Sequence, residues 1–134
     1  MQMQELLTSS FPPLRIPPAV NHIEVHPFNT RSAITTFCTA HDIIVEAYAP
    51  LARALRMTHP TITALAAKYS VAPAQLMIRW SLQHGFVPLP KSVTRDRIWV
   101  NGRVGGWVIE ERDMVALDGL DEYLVTDWDP VGCE

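Results

Sequence analysis

Apolar positions along the chain switch repeatedly between a two-residue rhythm and a three-to-four-residue rhythm, which predicts strands alternating with helices. Gln2 to Ser9 carry good helix formers, and Pro12, Pro13, Pro17 and Pro18 stop that helix by removing backbone donors and fixing φ. Ala19 to Val25 reads as a strand broken at His26-Pro27. A helix follows, for which Asn29 or Thr30 can supply the N-cap oxygen and in which Ile34, Phe37, Cys38 and His41 recur at helical spacing. Ile43 to Tyr48 is a second strand, closed by Pro50. Pro60 suits the first position of a helix running through Tyr69. Pro73 opens another, with Leu76, Met77 and Trp80 as its buried stripe and Gly85 as its C-terminal stop. Phe86 to Lys91 reads as a third strand, provided that Pro88 and Pro90 face away from the ladder, since neither has an amide to donate. Ser92 or Thr94 can cap a helix that reaches Asn101, Gly102 to Gly106 form a loop, and Glu111 to Leu120 form a last helix with Met114, Leu117 and Leu120 inward. No period is visible after Asp121.

Strands that alternate with helices pair in parallel and are covered by those helices on one face. The fold class is therefore α/β. A (β/α)8 barrel takes roughly 250 residues, so three strands make an incomplete sheet with two open edges. Those edges need another chain, a second copy of this one or an unusual closure.

Composition narrows the partners. With 134 residues, 48% hydrophobic and 19% charged, the chain is expected to form one soluble globular domain over residues 1–134. A formal charge of -3 and the lack of a basic run argue against nucleic acid or an anionic membrane. Cys38 and Cys133 are the only cysteines, Cys38 on an apolar helical stripe, so no disulfide framework is expected. Neither a signal-peptide pattern nor a membrane-spanning run is present, and the expected location is the cytoplasm.

In parallel barrels functional groups gather where strands end and lead into loops. Three such ends occur here. At the third, Lys91 and Ser92 leave a strand and Arg97 follows one turn into a helix, so two cations and a hydroxyl can converge on an anion such as phosphate; a solvated basic first turn fits the same spacing. Tyr48 ends its strand on the face of Ile44 and Glu46, placed either to stack on a flat ring or to serve as a core tyrosine. His22, Glu24 and His26 alternate on one strand face. The metal reading of that trio is weak, because residues two apart on a strand lie roughly 6 to 7 Å apart and Pro27 bends the chain; a cofactor contact or an interior polar network is favoured. Glu24 and Glu46 both point inward on this reading, and no partner for them is evident in the sequence. Gly102 to Gly106 lacks the order of a dinucleotide fingerprint and is read as a plain loop.

Several stretches taken together resemble the aldo-keto reductases, (β/α)8 enzymes that reduce aldehydes and ketones with NADPH. Pro18 to Pro27 resembles the family strand P-x-V-N-Q-x-E-x-H-P, and Ala47-Tyr48-Ala49-Pro50-Leu51 resembles its A-Y-S-P-L strand end. Pro73 to Trp80 is similar to its P-A-Q-V-x-x-R-W helix. Pro90-Lys91-Ser92-Val93-Thr94, with Arg97 and Asn101, is similar to its cofactor signature I-P-K-S-V-T-x-x-R-x-x-x-N. The closing Asp121 to Pro130 resembles the tail of fungal members.

The resemblance implies the C-terminal part of a (β/α)8 TIM barrel, with the three parallel strands and flanking helices as its sixth to eighth units. It also implies NADP(H) as cofactor. Tyr48 would stack on the nicotinamide, with His22, Pro50 and Leu51 beside it; Lys91, Ser92, Arg97 and Asn101 would hold the adenosine 2′-phosphate and adenine, with Val93 and Thr94 adjoining. His22 stands where the family has a glutamine, Val100 replaces a usual glutamate and Ala49 a usual serine, so some polar contacts to the cofactor are lost. The family's catalytic Asp, Tyr, Lys and His come from its second to fourth strands, which no part of this chain resembles. The expected substrate is a small carbonyl compound, reduced only if an N-terminal half completes the barrel. The alternative is a non-enzymatic half-barrel that self-associates through its open strand edges and retains nucleotide binding. The start at Met1, already inside a helix, also fits a gene whose first exons lie upstream.

Overall fold

The computed structural model describes residues 16–129. The expected helix over Gln2 to Ser9, and Cys133, lie outside them. In chain order come strand β1 (Val20–Glu24), helix α1 (Ser32–Ala40), β2 (Ile44–Tyr48), a 3-10 turn (Ala52–Ala54), α2 (Pro60–Lys68), α3 (Pro73–Gln83), β3 (Val87–Pro88), α4 (Arg95–Asn101) and α5 (Glu111–Asp118). The strands form one parallel sheet in the order β1-β2-β3. This is the expected α/β architecture, an open three-stranded portion of a barrel.

Each turn out of a helix into the next element is closed by its own hydrogen bonds. After α1 the amide of Ile43 reaches the carbonyl of Cys38, after α2 Val71 reaches Ala66, and after α3 Phe86 reaches Ser81. All three are Schellman closures, which need one residue in the left-handed region. That position is Asp42 (φ 56), Ser70 (φ 55) and Gly85 (φ 79), so only the last uses the residue with no steric cost there.

The sheet has two unlike faces. Val45 and Ala47 of β2 point at the helices and join a core with Ile62, Leu76, Met77, Trp80, Met114 and Leu117. Burial of that apolar surface, at about 25 cal/mol per Å², is the main term holding the helices to the sheet. The Trp80 indole lies in this core and still donates to Asp118 Oδ1 at 2.7 Å. On the other face Val20, Ile44 and Val87 are 41%, 52% and 42% exposed. Register places His22 beside Glu46 and Glu46 beside Val87, so this is the face a closed barrel would turn inward.

Four local expectations are corrected. The third strand is Val87–Pro88, not Phe86 to Lys91; Pro88 and Pro90 have no amide, and the ladder ends with Leu89 donating to the Ala47 carbonyl at 3.0 Å. Neither Asn29 nor Thr30 caps α1. Arg31 is its N-cap in the left-handed region with no side-chain cap, because Asn29 is buried in a bridge with His26 and Thr30 bonds Asp121. His41 is exposed, stacked on Phe37 rather than buried on the α1 stripe. Glu24 has partners that the sequence did not reveal: the amide and hydroxyl of Thr126 and the ring of His26.

Candidate functional site

Where β2 and β3 end, the loops open a cavity of about 1090 Å³. Its wall is made by three segments: the turn after β2, the first residues of α3, and the stretch from Leu89 to Asn101. Tyr48, Pro50, Leu51, Lys91, Ser92, Val93, Thr94, Arg97 and Asn101 all line it. Of the residues that the resemblance assigns to the cofactor, only His22 does not, and Glu24, His26 and Glu46 also lie off this wall. Its exposed ring lies 5.1 Å from that of Tyr48, and its Nδ1 lies 3.3 Å from Glu46 Oε2.

Local chemistry explains the shape. Pro90 prevents a longer strand, so the chain leaves the sheet after Leu89 and turns through Lys91 and Ser92 into α4. Ser92 fixes that turn by accepting the Thr94 amide at 3.2 Å, so it supports the loop instead of capping the helix; Thr94 is the N-cap residue and makes no side-chain cap. One turn later Arg97 and Asn101 come to the same wall, four residues apart on one helical face. Among the described residues neither Lys91 nor Arg97 forms an ion pair or a side-chain hydrogen bond. Two unpartnered cations beside an apolar wall of Pro50, Leu51 and Met57 suit a ligand that carries phosphate and flat rings together.

Sequence reasoning missed Arg53, Met57 and Asp96 on this wall. It also missed the strain in the turn that carries Arg53. Ala49, Ala52, Arg53 and Ala54 have φ of 44, 47, 48 and 65°, a cluster of left-handed residues without one glycine. Such residues persist only where surrounding contacts hold them and gather at ligand-binding loops. No local sequence signal marks them, since neither alanine nor arginine is among the residues that favour that region.

The C-terminal stretch, aperiodic in sequence, lies as a strap across the ends of β1 and β2. Glu122 and Leu124 donate to the Phe28 carbonyl, and Thr126 bonds the buried Glu24 carboxylate. Acidic side chains fasten the rest: Glu122 to Arg56, Asp127 to Arg53 at 2.9 Å and Asp129 to Arg31 at 3.0 Å. The Tyr48 hydroxyl donates to the Trp128 carbonyl at 3.4 Å, which ties that segment to a residue of the cavity wall. Burial, with Glu24 and Asp127 nearby, pushes the Tyr48 phenol above its ordinary range and keeps it neutral. Burial pushes the His26 imidazole below its ordinary range despite the neighbouring Glu24. Among the described residues no three His, Cys, Asp or Glu side chains come together as a metal site, and no helix is long and apolar enough to cross a membrane.

Comparison with known proteins agrees with this fold. No family model matches the chain. An uncharacterized oxidoreductase of Schizosaccharomyces pombe is 43% identical over 128 residues, covering 96% of this chain and 46% of that protein. A solved structure of a Gox0644 mutant in complex with NADPH superposes with a TM-score of 0.82 at 34% identity, over 90% of this chain and 44% of that one. An aldo-keto reductase of Bombyx mori in complex with NADP gives a TM-score of 0.85 at 26% identity, over 95% of this chain and 44% of that one. The chain thus spans less than half the length of the proteins it matches.

Proposed function

Because the chain belongs to the aldo-keto reductase family and corresponds to the C-terminal part of its barrel, we propose that it holds the NADP(H)-binding portion of a carbonyl reductase, which turns an aldehyde or ketone into an alcohol. The observation that carries this reading is the convergence of Lys91, Ser92 and Arg97 on the cavity that has Tyr48 on its wall. An unpaired lysine and arginine supply the charge-assisted donors that a phosphate dianion needs. The exposed part of the Tyr48 ring offers a flat apolar surface for a nicotinamide, with His22 beside it as a donor or acceptor for a carboxamide. Bound there, NADPH supplies the hydride. The residues of this chain orient it and shield it through Pro50 and Leu51.

Protonation of the carbonyl oxygen needs a positioned acid. Tyr48 is not that acid, since its hydroxyl is turned to the Trp128 carbonyl and its ring serves as the stacking surface. The proton is therefore assigned to residues outside this chain, in the earlier strands of a completed barrel. Calorimetric titration with NADPH and with NADH tests the binding claim: tighter binding of NADPH is expected, and equal affinity or none sinks it. The chain alone should reduce no 4-nitrobenzaldehyde, and the chain mixed with an N-terminal half should do so.

A second reading rests on a different observation, the exposed Val20, Ile44 and Val87 that flank His22 and Glu46 on the inner sheet face. A face of that kind favours association. Two copies joined there would form a non-enzymatic assembly that still binds nucleotide. Light scattering distinguishes the two, since a monomer in solution counts against this version.

A further inference from the structure

Arg53 borders the same cavity as Lys91 and Arg97, yet it is not idle: its guanidinium pairs with Asp127 of the strap at 2.9 Å. Both side chains are more than half exposed, 55% and 56%, and an exposed pair of this kind is weak and readily exchanged. The contacts on either side of it are of another kind. Thr126 is bound to the buried Glu24 carboxylate, and Asp129 is bound to Arg31, whose side chain is 5% exposed. Asp127 and Trp128 thus form a short span between two firm anchors, touching the cavity wall at Arg53 and Tyr48.

Charge in the cavity follows the same division. Lys91 and Arg97 are uncompensated apart from Asp96 on the same wall, whereas the positive charge of Arg53 is neutralised by a carboxylate from the chain's own tail. The residue that carries this arginine is itself held at φ 48, between Ala52 and Ala54 in the same left-handed region. Backbone of that sort persists only where surrounding contacts hold it, so the fold around the turn keeps the guanidinium at the wall.

We infer that Arg53 is a third ligand-binding cation, occupied in the free chain by Asp127 as a stand-in anion, and that a phosphate-bearing ligand takes Arg53 from Asp127 and frees the Asp127-Trp128 span. The exchange replaces a monovalent carboxylate by a phosphate with more charge and more acceptor oxygens, so it favours the ligand. Binding is then coupled to the strap: release of Asp127 loosens the contact between Trp128 and Tyr48, and opens the mouth of the cavity where the ring of Tyr48 lies. The anchors at Thr126 and Asp129 keep the motion local.

This inference rests on the proposal that the cavity takes NADP(H), and the test separates the two. NADPH is titrated calorimetrically into the full chain and into Asp127→Asn, Arg53→Met and the double variant. Asp127→Asn should bind NADPH about two- to fivefold more tightly, the range expected when a weak exposed pair no longer competes. Arg53→Met should bind about tenfold more weakly, and in that background Asp127→Asn should change nothing. Amide exchange at residues 127 and 128 should quicken on NADPH binding in the unmodified chain. If the unmodified chain binds NADPH but Asp127→Asn binds it equally or more weakly, Arg53 is a plain surface partner of the strap and the inference is overturned. If the unmodified chain binds no NADPH, the cofactor reading falls first and takes the inference with it. Should Arg53→Met fail to fold, the direction of the Asp127→Asn change alone decides.

Discussion

Two lysines in this molecule show what pairing means. Lys68, at the end of α2, donates to Asp113 at 2.5 Å and to Glu110 at 2.8 Å, and the Tyr69 hydroxyl joins the same Asp113 oxygen while accepting the Glu110 amide. Those bonds raise the Lys68 ammonium above its ordinary range and hold both carboxyls below theirs. The cluster ties α2 to α5 and uses up its charges in doing so. Lys91 has no such neighbours; it and Arg97 border a cavity with their charge unspent. A cation satisfied within the fold serves stability, and one left unsatisfied beside a cavity is available to a ligand.

The largest effect lies on the structural side. Leu117→Ala, at a fully buried position of α5, the helix that carries Asp113, should cost about 2–5 kcal/mol by urea unfolding. It should leave the NADPH affinity of the folded fraction unchanged. Next, Lys91→Met combined with Arg97→Met should weaken NADPH binding by about 100-fold or more in a calorimetric titration, each alone by about tenfold. The melting temperature should stay within experimental scatter, because neither side chain holds anything inside the fold. A clear loss of stability in this variant would erase the distinction between the two lysines.

Acid sharpens the comparison further. The folded-state pKa values of Glu110 and Asp113 are lowered, so the stability they contribute is present above their unfolded values, at about pH 4, and is lost as the pH falls through the folded ones. His26 is lowered from 6.5 by burial, so the unfolded chain takes up that proton first, and stability declines as the pH falls below 6.5. Melting temperature against pH should show a shallow decline from about pH 6.5 and a steeper one below about pH 4. Asp113→Asn should flatten the second. Smallest of all, Asp42→Gly and Ser70→Gly should each stabilise the chain by about 0.5–1 kcal/mol, since both sit at left-handed Schellman positions without a side-chain reason for it.

Much of this was legible in the residues because the signals are local. Pro60 and Pro73 open helices where the sequence places them, Gly85 closes one, and Leu76, Met77 and Trp80 are buried as their spacing predicts. Placement of Lys91, Arg97 and Asn101 on one wall follows from a strand end and one helical face, again local facts. What escaped depends on contacts far apart in sequence. Thr126 as the partner of Glu24, Asp127 as the partner of Arg53 and the strap as a whole join residues 66 to 102 positions apart, and no periodicity announces them. Asn29 escaped for a related reason: its residue type suits an N-cap, but burial in the bridge to His26 overrides that preference.

The most direct test compares adenosine 2′,5′-bisphosphate with adenosine 5′-phosphate, each titrated into the folded chain and followed by calorimetry. Binding of the 2′-phosphorylated compound should be about tenfold tighter or more, and the preference should vanish in Lys91→Met. Equal affinity for the two, or a preference that survives the loss of Lys91, would contradict the assignment of this cavity to NADP(H).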